Sequence, residues 1–174
     1  MMNYISHRLY TICHIIKQKA MEYKKSKYPH IHASVALGMD VKLIGLYTSF
    51  HIAEGTYINE AILATGKTSK ITIGKRCAIG YNVSIKALTH DVNNPCIDSD
   101  GNIQTIESDI IIGNECWIGD NVYIREGIIL GDGIIVGANS VVTKSFPNNV
   151  TIAGNPAKIL VCKTMKKNNG DKNG

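Results

Sequence analysis

The side chain in this sequence best placed to move a proton is the histidine of Thr89-His90-Asp91. An imidazole can take a proton from a nucleophile and return it to a leaving group, so one residue can serve both halves of a transfer. His30, His32 and His51, taken with His90, admit a second chemistry, because three histidines can hold zinc and activate water. Their spacing does not support it. The five cysteines, Cys13, Cys77, Cys96, Cys116 and Cys162, form no C-x-x-C pair and are odd in number. That argues against a disulfide framework and a zinc site, so no metal is expected and a reducing, cytoplasmic location follows.

His90 must be positioned by the elements on either side of it, and these are marked by a six-residue repeat. Aliphatic residues recur at Ile106, Ile112, Ile118, Ile124, Leu130, Val136 and Val142. Gly113, Gly119, Gly131 and Gly137 follow four of them, and Cys116, Val122, Ile128, Ile134 and Ser140 occupy a second recurring position. An earlier block repeats the phase at Ile73, Ile79 and Ile85, and Ile52 and Ile58 suggest earlier turns that have drifted. Each hexad supplies one short strand and one turn, so three hexads make a triangular coil of about 18 residues. The aliphatic side chain points inward, and the glycine after it is expected to let the chain turn at the corner. Between Ile85 and Ile106 the repeat stops, and residues 86–105 form an extruded loop with His90 near its start. A long loop in a regular solenoid is usually functional or disordered.

The chain is long enough for one core, and its excess of Ile, Val and Gly over Leu and Phe favours strands and tight turns. Apolar residues at Ile5, Leu9, Ile12, Ile16 and Tyr23 predict an amphipathic helix that Pro29 stops. That helix could cap the open end of the β-structure, pack on a partner subunit, or touch a membrane surface weakly. The formal net charge of +5 collects in this segment and in the Lys-rich tail. No aromatic and basic interleaving accompanies it, so nucleic acid is not the expected partner. Three regions result: residues 1–30 as helix and linker, 31–160 as the coiled domain, and 161–174 as a flexible basic tail.

Several segments together resemble the hexapeptide-repeat acyltransferases, in the branch that acetylates sugars and xenobiotics. They are Thr89-His90, Ile112-Gly113-Asn114-Glu115-Cys116-Trp117-Ile118-Gly119, Gly137-Ala138-Asn139-Ser140-Val141-Val142-Thr143-Lys144 and Ala153-Gly154-Asn155-Pro156-Ala157-Lys158. The resemblance covers residues 71–160. It implies an all-β, left-handed parallel β-helix, although parallel crossovers are normally right-handed. It also implies acetyl-CoA as co-substrate, a homotrimer with active sites between subunits, and transfer to a sugar or surface-polysaccharide hydroxyl. Sugar-nucleotide N-acetylation is the alternative; a zinc carbonic anhydrase-like enzyme and a non-catalytic scaffold are further readings.

By the same resemblance His90 is the general base and the backbone N–H of Asp120 donates to the oxyanion. Trp117 would flank the thioester arm or pack between subunits, and Gly119 belongs to the same coil. Ala138 and Thr143 would contact the arm of CoA, while Lys144 and Lys158 would face its phosphates. Arginine is common in the family at the position of Lys158, and lysine keeps the charge without the bidentate fork. Asn59 could orient the acceptor hydroxyl, and Asp91 or Glu107 could orient the imidazole.

Overall fold

The computed structural model describes residues 2–91 and 104–162. Its body is a three-faced prism of short parallel strands. The first face stacks Ala36–Leu37, Tyr57–Ile58, Ala78–Ile79, Trp117–Ile118, Ile135–Val136 and Val150–Ala153. The second stacks Lys42–Ile44, Ala61–Ala64, Val83–Lys86, Tyr123–Ile124 and Val141–Val142, and the third stacks Phe50–Ile52, Ile71–Ile73, Ile110–Ile112 and Ile129–Leu130. The chain visits the faces in that order, so each coil lies on the one before it. Register follows the hexads: Ile118 pairs with Ile79 and Val136, and Ile124 with Ile85 and Val142.

The inward column is as the spacing predicts. Ile112, Ile118, Ile124, Leu130, Val136 and Val142 are all buried, and so is the second set at Cys116, Val122, Ile128, Ile134 and Ser140. Ile52 and Ile58 are buried too and pair with Ile73 and Ile79. The early coils are therefore full members of the stack. They escape an 18-residue count because each pairing here spans 21 positions, the difference between 52 and 73 or 58 and 79.

Three expectations need correction. Ile106 is not in the column: it is 42% exposed and lies in Thr105–Glu107, paired antiparallel with Leu88–His90. The extruded segment thus leaves the prism as a hairpin, and its residues 92–103, with Cys96, lie outside the described ones. The glycines after the aliphatics do not make the turn either. Left-handed φ falls two residues later, at Glu115, Asn121, Gly127, Gly133 and Asn139. Gly113 and Gly119 are instead required by stacking: a Cβ on Gly113 would lie 2.5 Å from Asp132 Oδ1, and one on Gly119 would lie 2.8 Å from the Ala138 nitrogen.

The third correction concerns the helix, Met2–Ser26, which does not cap the core. Tyr10, Ile12, Ile15, Ile16 and Tyr23 are exposed. Among its described side chains, those of the last turn tie it to the coils, Lys24 donating to the Val41 carbonyl and Lys25 to those of Ala33 and Val35. The buried Tyr28 covers the first coil instead, edge-on to Tyr47 and Phe50. At the other end Lys158–Cys162 folds back antiparallel on Val150–Ala153, so the final strand includes residues 161 and 162. No described helix is long and apolar enough to cross a membrane.

Candidate active site

His90 ends the strand Leu88–His90, opposite Thr105 of the returning strand. Pairing fixes its backbone, while the ring is exposed and forms no hydrogen bond among the described residues. It lines a cavity of about 420 Å³ on the second face, with Ile62, Lys86 and Tyr123 on its walls. Burial raises the Tyr123 phenol above its ordinary pKa, with the Glu126 carboxylate adding to the effect, so Tyr123 is present as a neutral hydroxyl. Glu126 itself is buried and paired with Arg125.

Glu107 is not the group that orients His90. Its carboxylate accepts hydrogen bonds from the Lys67, Thr68 and Ser69 amides and from the Thr68 hydroxyl, at 2.7 to 3.0 Å. These donors, led by the Thr68 amide, hold its pKa down to about 2 from 4.5. The folded value is depressed, so the clamp's stabilisation is present above pH 4.5 and is lost as pH falls through about 2. Glu107→Gln is expected to speed amide exchange at residues 67–69 at neutral pH, and wild type should show the same release only in acid. Equal protection in both proteins at neutral pH would remove the clamp.

Of the residues expected around CoA and the oxyanion, Trp117, Gly119, Asp120 and Ala138 lie together at the corner between the first and second faces. Trp117 is 58% exposed on the outer side of its strand. Asn82, Asn121 and Asn139, all at left-handed φ, form an amide ladder up this corner with bonds of 2.9 and 3.1 Å. The ladder fixes the neighbouring Asp120, whose carbonyl accepts from the Asn139 amide and whose Oδ1 accepts from the Tyr81 amide. The Asp120 N–H donates to no acceptor among the described residues. Gly119 and Ala138 pack on each other in successive coils at this corner.

Thr143 and Lys144 are exposed at the next corner, where the Lys144 ammonium lies 5.6 Å from the Phe146 ring centre. Lys158 is exposed at the start of the final strand. It is held there because the buried Ala157 donates its amide to the Val141 carbonyl. Asn59 follows Ile58 in the column of Gly119, with its amide on the Ile79 carbonyl, and does not line the His90 cavity. One chain thus brings Trp117, Gly119, Asp120, Ala138 and Asn59 to one corner and sets His90 on another part of the surface.

His30, His32 and His51 do not join His90. They line a different cavity of about 370 Å³ with residues of the third face, and the His30 and His51 rings stack in parallel with centres 4.3 Å apart. Sequence reasoning missed Thr65, which lies beside the His90 cavity with a buried hydroxyl lacking a partner. No spacing rule marks it, because it sits between hexads.

Comparison with known proteins agrees with this architecture. Residues 109–144 match the family described as bacterial transferase hexapeptide (six repeats). A Dictyostelium discoideum protein named for acetyltransferase activity is 38% identical over 112 residues, which are 64% of this chain. The chain spans 57% of that relative's length. Among solved structures, a maltose O-acetyltransferase of Clostridium difficile superposes with a TM-score of 0.63 at 29% identity, covering 74% of this chain and 66% of the other. A hexapeptide-repeat acetyltransferase of Vibrio cholerae, solved with acetyl coenzyme A, gives 0.63 at 25% identity over 84% and 79%.

Proposed function

We propose that this chain, whose repeats are those of the bacterial transferase hexapeptide proteins, is an acetyl-CoA-dependent O-acetyltransferase acting on a sugar or polysaccharide hydroxyl. Its coils wind left-handed and its active form is a homotrimer. The observation that carries this reading is the long interruption of the repeat after Ile85: the hairpin leaves the prism there and sets an imidazole, with no hydrogen bond among the described residues, at the mouth of a cavity. The separation of His90 from the Trp117 corner within one chain supports a site completed by a neighbouring subunit.

In the reaction the acceptor hydroxyl attacks the thioester carbonyl while His90 removes its proton. The new C–O bond forms, the carbonyl becomes an oxyanion, and the Asp120 N–H stabilises it. The C–S bond then breaks and His90 returns the proton to the departing thiolate. Trp117 and Gly119 bound the groove, Ala138 and Thr143 meet the pantetheine arm, and Lys144 and Lys158 face the phosphates. Asn59 orients the acceptor from the corner it shares with Gly119.

Thiol release from acetyl-CoA, followed over a panel of neutral sugars, acidic saccharides and sugar nucleotides, tests the reading. Saturable release that requires a saccharide is expected, with product acetylated on oxygen. Release driven only by amino sugars would replace O- with N-transfer, and no acceptor-dependent release at all would end the proposal.

A further inference from the structure

The His90 cavity does not stand alone. A second cavity of about 550 Å³ adjoins it, and the two share Thr65, Leu88 and Thr105 on their walls. Each lies in the size range that holds a small organic ligand, so together they offer more room than one sugar ring needs. Their apolar floor comes from side chains such as Ile44, Leu46 and Ile62. Sugar rings present C–H faces that can lie on such a floor while their hydroxyls seek polar groups at the edges.

Thr65 is where the two spaces meet. Its residue is 5% exposed and its hydroxyl has no hydrogen-bond partner. A buried hydroxyl without a partner carries a desolvation cost that a bound ligand can relieve. Gly45 makes the position possible, since a side chain there would collide with the Thr65 hydroxyl.

Charge selects among saccharides. Lys86 lines the first cavity and Lys67 the second, and neither forms an ion pair among the described residues. The carboxylate on these walls is that of Glu107, and it faces the four donors of residues 67–69. Lys86 thus lines the cavity that holds His90 and Lys67 the one adjoining it, and among the described residues neither is paired with a carboxylate. A neutral acceptor would leave that arrangement unused.

We infer that the two cavities form one acceptor trough for an acidic oligosaccharide, with Lys86 and Lys67 as charge partners and the Thr65 hydroxyl as the central hydrogen-bonding group. This deepens the acetyltransferase reading and rests on it for the transfer itself. The shared chemistry is a saccharide bearing an anionic group, either a sugar carboxylate or a phosphodiester.

The test has a binding arm and a transfer arm on the full-length protein. Calorimetric titration with a trigalacturonate, a phosphodiester-linked trisaccharide and maltotriose is expected to show saturable binding of an acidic ligand that weakens with salt. Which acidic ligand binds identifies the anion. In thiol-release assays the ratio of kcat/KM for the acidic over the neutral trisaccharide should fall about tenfold in Lys86→Gln and return toward wild type in Lys86→Arg. Thr65→Val, nearly isosteric, should weaken binding of the acidic ligand without lowering Tm. Maltotriose bound and acetylated as well as the acidic sugars, with a ratio unmoved in Lys86→Gln, would overturn the trough and leave the transferase standing. Salt-sensitive acidic binding with no thiol release on any acceptor would do the reverse. Absence of binding by all three ligands would overturn the trough outright.

Discussion

Replacing His90 with alanine is expected to lower kcat for acetyl transfer by roughly 10² to 10⁴, the usual contribution of a positioned general base. The KM for acetyl-CoA should change little, because in this reading the imidazole handles the proton in the transition state and the pantetheine arm and phosphates are held by other residues. Stability should hold, since the ring is exposed and makes no hydrogen bond among the described residues. The position also permits chemical rescue. The deleted ring leaves space at a cavity mouth, so added imidazole should restore part of the lost rate in His90→Ala in a saturable way. A residue that merely shaped the hairpin would give a variant that added imidazole cannot help. Unchanged turnover in His90→Ala would remove this residue from the chemistry altogether.

What the sequence discloses and what it hides can be traced to particular residues. Ile112, Ile118 and Ile124 are legible because inward positions six apart must be aliphatic whatever surrounds them. The same rule misplaces Ile106, which has the right spacing but pairs with Thr89 outside the prism. Periodicity counts positions and cannot detect a hairpin that departs between them. The glycines were visible and their purpose was not: close approach of one coil to the next is a relation between residues 18 apart, whereas a turn is local. Helical spacing in residues 5–23 gives the helix correctly, yet nothing in it says whether the apolar side finds a surface.

The candidate site divides in the same way. His90 stands out by its place at a break in the repeat, and Trp117 and Asp120 by lying in a segment with a family resemblance. The ladder of Asn82, Asn121 and Asn139 that fixes Asp120 could have been noticed, since asparagine is among the residues that tolerate left-handed φ at recurring turns. Thr65 could not, because its significance is an unmet hydrogen bond that exists only once Gly45 is packed against it.

Adjacent residues of one strand should separate packing from ligand contact with the second large effect. Ile118 points inward and is fully buried, while Trp117 beside it points out. Truncating Ile118 to alanine leaves a hole between coils held by Ile79 and Val136 on either side, and should cost about 2–5 kcal/mol in denaturant unfolding. Trp117→Ala removes far more surface yet should change the stability of one folded chain by only about 0.5 kcal/mol, because its ring is mostly in solvent. Its effect belongs elsewhere. If the indole flanks the thioester arm, the KM for acetyl-CoA rises severalfold and the dependence of Tm on protein concentration stays that of wild type. If it packs between subunits, Tm in the variant falls more steeply on dilution than in wild type, since weaker assembly stabilises less by mass action. Equal losses of stability from the two substitutions would mean that the strand does not present its side chains alternately to core and groove, and the placement of the Asp120 amide beside that groove would fail with it.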